Sequence, residues 1–271
     1  KNSLNKIHVD TPLNLSLIKN KINALIIVRL KSNRLKRKAL LKINNEYAIE
    51  HLINKVKKIK NINKIIICTS TNSQDDKLIE IAKKNNINFF RGHETNVLKR
   101  MYDCNKKFMC DHVLRITGDD ILIDPVYANK TIQYHLETNS DYTDCKKLPS
   151  GTEVEVFSNK SIVNLFNSLI DGSGTEYLTN YINENSDHFN KSSYKVFKKH
   201  QIDARLTIDT KQDFFVVKKM LEFFNKDKKK YTYNLDDIVY FYKKNKNLFK
   251  KNRNIKQLIK PEKFSTSLDW N

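Results

Sequence analysis

The chain has 271 residues, enough for one generous α/β domain with its own core. Its formal charge of +20, from fifty Lys and Arg against thirty Asp and Glu, favours anionic partners, but the lysines are scattered through every segment among many Asn and Ile. That is the pattern of a biased surface and not of a nucleic-acid stripe. Four cysteines without a CxxC pair exclude a zinc ribbon or a disulfide framework, and no apolar run reaches the ~20 residues of a membrane helix, so a soluble, reducing, cytoplasmic setting is expected.

Residues 1–20 carry no clear period and read as an N-terminal extension, ahead of a main domain over 21–224 and a helical appendage with a tail over 225–271. The apolar run ALIIV at 24–28 predicts a buried strand that ends directly in a charged loop. Ala48, Ile49, Leu52, Ile53, Val56 and Ile59 then recur at helical spacing, and KIIICT at 64–69 is the next strand. A helix with Leu78, Ile79 and Ala82 on one face follows, then a strand at 88–91, a helix carrying Val97, Leu98, Met101, Cys104 and Phe108, and the strand HVLRIT at 112–117. This alternation predicts an α/β fold with a doubly wound, mostly parallel sheet. Ligands of such sheets bind at the carboxyl ends of strands, here after Val28, Thr69 and Thr117.

The second half is less regular. Strands are expected at 153–157 and 205–208 and helices at 162–169 and 176–183. Thr210 and Asp213 are spaced as a capping box opening a helix through Leu221. Beyond it, Leu235, Ile238, Val239, Phe241 and Tyr242 form one amphipathic stretch. The seven histidines are spread without pairing, and none is assigned a catalytic role.

Two segments carry chemistry. The loop RLKSNRLKRK, 29–38, sets six basic residues and a Ser directly after the first strand, cations suited to a triphosphate. RITGDD, 115–120, ends a strand in Gly and two carboxylates, hard oxygen donors of the kind a divalent cation on phosphate requires, and Asp209 ends RLTID in an equivalent place. Neither a GxxxxGK[ST] loop nor a GxGxxG turn is present, which excludes those two nucleotide fingerprints.

The order of these motifs resembles the cytidylyltransferases that activate acidic sugars, the acylneuraminate and 3-deoxy-manno-octulosonate enzymes, and among them most the spore-coat polysaccharide type. The family's opening pattern, close to ARxGSxRxPGK, is matched by Arg29, Ser32, Arg34 and Lys38, and its TSTNxxDD by Thr69 to Asp76. Phe90, Arg91 and Gly92, then Val97, Leu98 and Arg100, continue the match. RITGDCPLIDP stands here as RITGDDILIDP, GxDVEVF as GTEVEVF, REHVTPYI as TEYLTNYI and RLTVDTPEDL as RLTIDTKQDF, so the likeness runs unbroken from about Ala24 to Leu221.

The resemblance implies a Rossmann-like fold of the nucleotide-diphospho-sugar transferase type, and transfer of CMP from CTP to an anionic acceptor, an acidic sugar or a phosphorylated one, with release of pyrophosphate. It implies that Arg29, Ser32, Arg34 and Lys38 hold the triphosphate, with Arg29, Lys38 and Asp119 catalytic. Thr69, Ser70, Arg91, Thr117 and Gly118 would contact the nucleotide, Asp119 and Asp209 would ligate Mg²⁺, and Glu153 and Glu155 would line the acceptor side. A homodimer is also implied.

The chain departs from the pattern at Lys31, Lys36 and Arg37, which stand for Gly, Pro and Gly, at Asp120 and Ile121 in place of Cys and Pro, and at Glu153 in place of Asp. Two other readings stay open: a nucleotide-sugar glycosyltransferase of similar fold, against which the absence of a DxD pattern counts, and a non-catalytic basic relative that binds nucleic acid or regulates.

Overall fold

A computed structural model describes residues 20–170, 175, 178–255 and 268–269. The expected N-terminal extension up to residue 19, the start of the helix expected at 176–183 and most of the tail lie outside the described residues. Among the described residues nine strands occur in chain order: β1 (Ile22–Ile27), β2 (Lys42–Ile43), β3 (Glu46–Tyr47), β4 (Lys64–Ser70), β5 (Asn88–Gly92), β6 (His112–Thr117), β7 (Tyr142–Asp144), β8 (Glu155–Ser158) and β9 (Lys191–Ser193).

β1 is buried along its whole length, as a strand covered on both faces must be. It lies inside a seven-stranded sheet of order β5-β4-β1-β6-β8-β7-β9. β4 and β6 flank β1 in parallel, β5 is parallel to β4, and β8 joins β6 antiparallel. The chain winds outward from β1 through β4 to β5, then returns to β6 on the other side. The order therefore reverses between β1 and β6, and the carboxyl ends of these two strands frame the crevice where ligands of such sheets bind.

The helices Ala48–Val56, Asp76–Lys84 and Val97–Phe108 form where the apolar period placed them, and their buried faces cover the sheet. The helix Lys211–Lys226 opens with the expected capping box: the Thr210 hydroxyl accepts from Asp213 N at 3.2 Å, and the Asp213 carboxylate accepts from Thr210 N at 2.9 Å.

Several features differ from the sequence expectation. No strand forms at 205–208. Leu206 N donates to Ser150 O at 2.7 Å and Ile208 N to Asp119 O at 3.0 Å, so the segment bridges two loops and has no single partner strand. A helix absent from the expectation, Pro125–Glu137, packs Tyr127, Ala128, Thr131, Ile132 and His135 inward, a face too mixed to read as an apolar stripe. Its start was signalled by Asp124, whose carboxylate accepts from Val126 N and Tyr127 N, with Pro125 at the first helical position.

The histidines are also not all unpaired: His112 Nδ1 lies 3.0 Å from His135 Nε2, and His135 Nδ1 lies 2.8 Å from the Thr143 hydroxyl. Burial, and then its neighbour His112, push His135 down to about 3, so at neutral pH it is an uncharged member of the core.

Residues 225–255 share the main core. The 224 boundary falls inside the helix Lys211–Lys226, and Phe224 stacks on Tyr233 with ring centroids 4.6 Å apart. The buried Lys55 ammonium donates to Tyr233 O at 2.7 Å, and the helix Leu235–Lys244 buries Leu235, Ile238, Val239 and Phe241. Each such side chain contributes roughly 1.5–3 kcal/mol of burial. No helix among the described residues is long and apolar enough to cross a membrane, and all four cysteines are free and buried.

Candidate active site

The loop after β1 is anchored from beneath by a residue the sequence reading left without a role. Asp75 has no exposed surface, and its carboxylate accepts Leu30 N at 2.7 Å, the Thr69 hydroxyl at 3.0 Å and Ser70 N at 3.3 Å, with the Ser70 hydroxyl as a further donor. One buried carboxylate thus ties the start of the basic loop to the end of β4. The sequence signal was present, since Asp75 is the first Asp of TSTNSQDD, but nothing in the pattern tells a ligand contact from a brace. Thr69 and Ser70 spend their hydroxyls on this brace and are themselves buried, 0% and 1% exposed.

Arg91 braces the same loop from β5. Its Nε donates to Ser70 O at 3.1 Å, one terminal nitrogen donates to Thr71 O and Asn72 O at 2.8 and 2.9 Å, and the other pairs with Asp76 at 2.7 Å.

The basic loop itself divides. Arg29 and Lys31 turn toward the segment after β5, where Arg29 donates to Glu94 O at 3.2 Å and Lys31 pairs with the Glu94 carboxylate at 3.2 Å. Arg34 and Lys38 turn the other way: the Lys38 ammonium lies 2.6 Å from Asp119 Oδ2 and 3.1 Å from Asp209 Oδ1, and Arg34 pairs with the other oxygen of Asp209. Arg205 holds Asp209 from behind at 3.3 Å and the fully buried Asp213 at 2.9 Å. Ser32 is half-buried between the two arms of the loop.

Lys38 opens a short 3-10 turn whose cap, Arg37, sits at φ 52°, the left-handed region that suits glycine. The family pattern has Gly at this position. The chain keeps the turn while carrying the strain of a side chain there, about 1–2 kcal/mol. The loss of Gly at 37 therefore leaves the local backbone shape in place.

Asp119 reaches this cluster because β6 and β1 come together at their ends. Gly118 N donates to Ile27 O at 2.9 Å, and a Cβ added at Gly118 would stand 2.6 Å from Val28 Cβ, so only glycine permits the approach. Its neighbour Asp120 points elsewhere, accepts the Thr117 hydroxyl and lines a separate cavity. Burial, and then the Asp119 charge, push the Asp120 carboxyl up to about 7 against the stabilising Thr117 and Thr207 hydroxyls.

That cavity, of about 310 Å³, lies between β6, β7 and β8 and the Cys145–Val154 loop. At its wall Arg115 pairs with Glu155, whose carboxylate also accepts the Tyr142 hydroxyl at 2.7 Å and the Thr179 hydroxyl. Burial opposes the charge on Glu155, but Arg115 and the two hydroxyls outweigh it and hold the carboxyl below its ordinary range. Glu153 is open to solvent. The cavity rim shields its carboxyl from part of the solvent, and this, with the charges of Asp120, Glu155 and Asp144, raises it above the ordinary carboxylate range, an effect that water on its open side weakens.

The structure thus brings together Arg34, Lys38, Asp119 and Asp209, and, in the adjoining cavity, Thr117, Glu153 and Glu155. Arg29 stands apart on the Glu94 side, while Thr69, Ser70 and Arg91 form the brace. Arg205, Tyr142 and Thr179 were missed by sequence reasoning; Arg205 and Thr179 lie inside matched motifs and Tyr142 outside them, and only the fold shows which way their side chains face.

A doubly wound sheet with basic side chains over a carboxylate pair at its switch point defines a nucleotidyltransferase. The family model for cytidylyltransferases matches residues 23–258, and the chain belongs to that family. An uncharacterized protein of Methanocaldococcus jannaschii is 32% identical over 243 residues, which cover 88% of this chain and 96% of that protein. The spore coat polysaccharide biosynthesis protein SpsF of Bacillus subtilis is 27% identical over 209 residues, 75% of this chain and 87% of the relative.

Among solved structures, a cytidylyltransferase from Leptospira borgpetersenii superposes with a TM-score of 0.79 at 25% identity, covering 89% of this chain and all of that one. A CMP:2-keto-3-deoxy-manno-octonic acid synthetase complexed with CTP shares the fold at a TM-score of 0.57 and 13% identity, over 74% of this chain and 98% of that one.

Proposed function

We propose that this enzyme transfers CMP from CTP to an acidic sugar or a phosphorylated acceptor, in the cytoplasm, in the synthesis of a surface polysaccharide or glycoconjugate. The observation that carries the reading is the meeting of Asp119 and Asp209 on the single ammonium of Lys38, with Arg34 alongside, at the switch point of the sheet. Two carboxylates that already converge on one cation are suited to hold a divalent one, and Mg²⁺ asks for one or two carboxylates and leaves its remaining positions to phosphate and water. Asp119 and Asp209 would hold that ion. When bound, it offsets charge on the phosphate oxygens.

Lys38 and Arg34 then turn from carboxylate to phosphate. Both keep part of their surface in water, and a phosphate oxygen replaces the carboxylate partner each would give up, so the exchange leaves neither charge unpaired. The acceptor oxygen bonds to the α-phosphorus as the α–β bridging P–O bond breaks. Pyrophosphate departs with the electron pair, and the proton of an acceptor hydroxyl passes to solvent. The chain's contribution is positioning and charge stabilisation. The homodimer implied by the resemblance belongs to the same reading, and sedimentation of the purified chain tests it.

The experiment is pyrophosphate release with each nucleoside triphosphate in turn, Mg²⁺, and a panel of acidic sugars and phosphorylated acceptors. Release that depends on CTP and on an acceptor supports the proposal. Release that depends on UTP, or none with any acceptor together with no CTP binding, contradicts it.

A further inference from the structure

Asp209 ends a segment that has no partner strand. Leu206 N and Ile208 N reach the Ser150 and Asp119 carbonyls by single bonds, so the place of the Asp209 carboxylate depends on side-chain ties. The chief of these is Asp213, 0% exposed. Its Oδ1 accepts Arg205 Nε at 2.9 Å, and its Oδ2 accepts Asp209 N at 3.3 Å and Thr210 N at 2.9 Å. Arg205 in turn donates to Asp209 Oδ2 at 3.3 Å. Asp213 therefore holds Asp209 twice, directly at its backbone and through Arg205 at its carboxylate.

This arrangement is completed from beyond the last matched motif. Asn252, 1% exposed, stands in the turn after the short helix Lys246–Phe249. Its Nδ2 donates to Asp213 Oδ1 at 2.9 Å and to Arg205 O at 2.9 Å. One amide nitrogen thus grips Arg205 at its backbone and at the carboxylate that orients its guanidinium. The neighbouring Arg253 pairs with Asp203 at 2.8 Å, but both are exposed and such a pair adds little. Asn252 Oδ1 has no hydrogen-bond partner among the described residues. A buried acceptor left unpaired costs stability, and an apolar side chain of similar shape would avoid that cost. Packing alone therefore does not account for an Asn here, whereas the two donated bonds do.

Building on the proposed CMP transfer, we propose that Asn252 is a positioning residue for the Asp209 carboxylate, and that the C-terminal segment is through it a working part of the site. Loss of Nδ2 frees the backbone at Arg205 and leaves Asp213 Oδ1 to Arg205 alone. Asp209 then keeps its charge and loses its fixed direction. Phosphate binding by Arg34 and Lys38 does not need that direction. A divalent cation shared by Asp119 and Asp209 does, because Mg²⁺ tolerates little departure from octahedral geometry and its ligands are aimed by the groups behind them.

The test is calorimetric titration of CTP, once with Mg²⁺ and once with EDTA, into the wild type, Asn252→Ala, Asn252→Leu and Phe249→Leu. The quantity read is the gain in CTP affinity that Mg²⁺ confers. Both Asn252 variants should lose about tenfold or more of that gain, the lower end of what removing an outer partner of a metal ligand costs, while their affinity in EDTA stays within about threefold of wild type. Asn252→Leu keeps the volume and removes both donated bonds, so it separates positioning from packing and carries the test if the cavity left by Asn252→Ala prevents folding. Phe249→Leu loosens the same segment at its contacts with Phe241 and Tyr242, and should keep the gain. A full gain in either Asn252 variant, or an equal loss in Phe249→Leu, overturns the proposal. A wild type whose CTP affinity gains nothing from Mg²⁺ overturns the metal reading and this proposal with it, and that failure is seen in the wild type alone.

Discussion

At the Lys38 cluster, Arg34 and Lys38 keep 26% and 18% of their side-chain surface exposed while they pair with Asp209. At the wall of the adjoining cavity, Arg115 keeps 9% against Glu155, and two hydroxyls close the remaining approaches to that carboxylate. The two pairs look alike on paper and differ in kind. A pair whose cation keeps a fifth to a quarter of its surface in water lies between the exposed and the fully enclosed case, and gives way to a better partner more readily than an enclosed one. A buried, hydrogen-bonded pair is costly to break, roughly 3–5 kcal/mol when one member is lost, and so serves as a fixed wall. Under the proposed function, the exchangeable charge stands where phosphate would bind and the locked charge shapes the wall proposed for the acceptor.

The largest expected effect follows from breaking the locked pair. Glu155→Gln should lower stability to urea by about 3–5 kcal/mol, because Arg115 is left as a buried charge without its counter-charge. The wild-type pair also has a defined pH signature. The folded carboxyl lies below its ordinary value of 4.5, so its contribution is complete above that pH and is lost as pH falls through the lower folded value. Stability measured from pH 7 downward should therefore decline more steeply in the wild type than in Glu155→Gln. Identical acid limbs would show that the pair is not held as described.

The exchangeable side should behave in the opposite way. Asp119→Asn removes a charge from a half-exposed cluster with little packing, so stability should hold while CTP-dependent pyrophosphate release falls on the order of 10²–10³-fold. A destabilised protein with normal turnover would place Asp119 among the fixed walls. The smallest effect is expected at Arg37→Gly. Relief of the left-handed strain gains about 1–2 kcal/mol, and the added freedom of the unfolded chain returns about 0.4–1 kcal/mol, so thermal unfolding should report a net stabilisation between about 0 and 1.6 kcal/mol.

Much of this was legible in the sequence, for reasons that differ by region. The buried parallel strands β1, β4 and β6 read as continuous apolar runs because both their faces are covered. The approach of Arg34 and Lys38 to Asp119 and Asp209 was foreshadowed by motif order, since each group ends or follows a strand segment at the same edge. The helix Pro125–Glu137 was not legible, because its inward face is built from Tyr, Ala, Thr and His and lacks an apolar stripe.

The roles of Asp75 and Arg91 were equally hidden. A carboxylate in a loop reads the same whether it meets a ligand or, like Asp75, three neighbouring residues of its own chain. At 205–208 a strand was expected, and the backbone instead divides its hydrogen bonds between Ser150 and Asp119. That division is what sets Asp209 beside Asp119.

The central claim is that Lys38 exchanges its two carboxylates for the triphosphate of CTP. Calorimetric titration of CTP and of UTP, with Mg²⁺, into the wild-type protein and into Lys38→Ala tests it most directly. The account predicts that CTP binds the wild type more tightly than UTP does, and that Lys38→Ala weakens CTP about 10–100-fold, the worth of a charge-assisted contact, without loss of folded protein. Unchanged CTP affinity in Lys38→Ala, or equal affinity for the two nucleotides in the wild type, would contradict it.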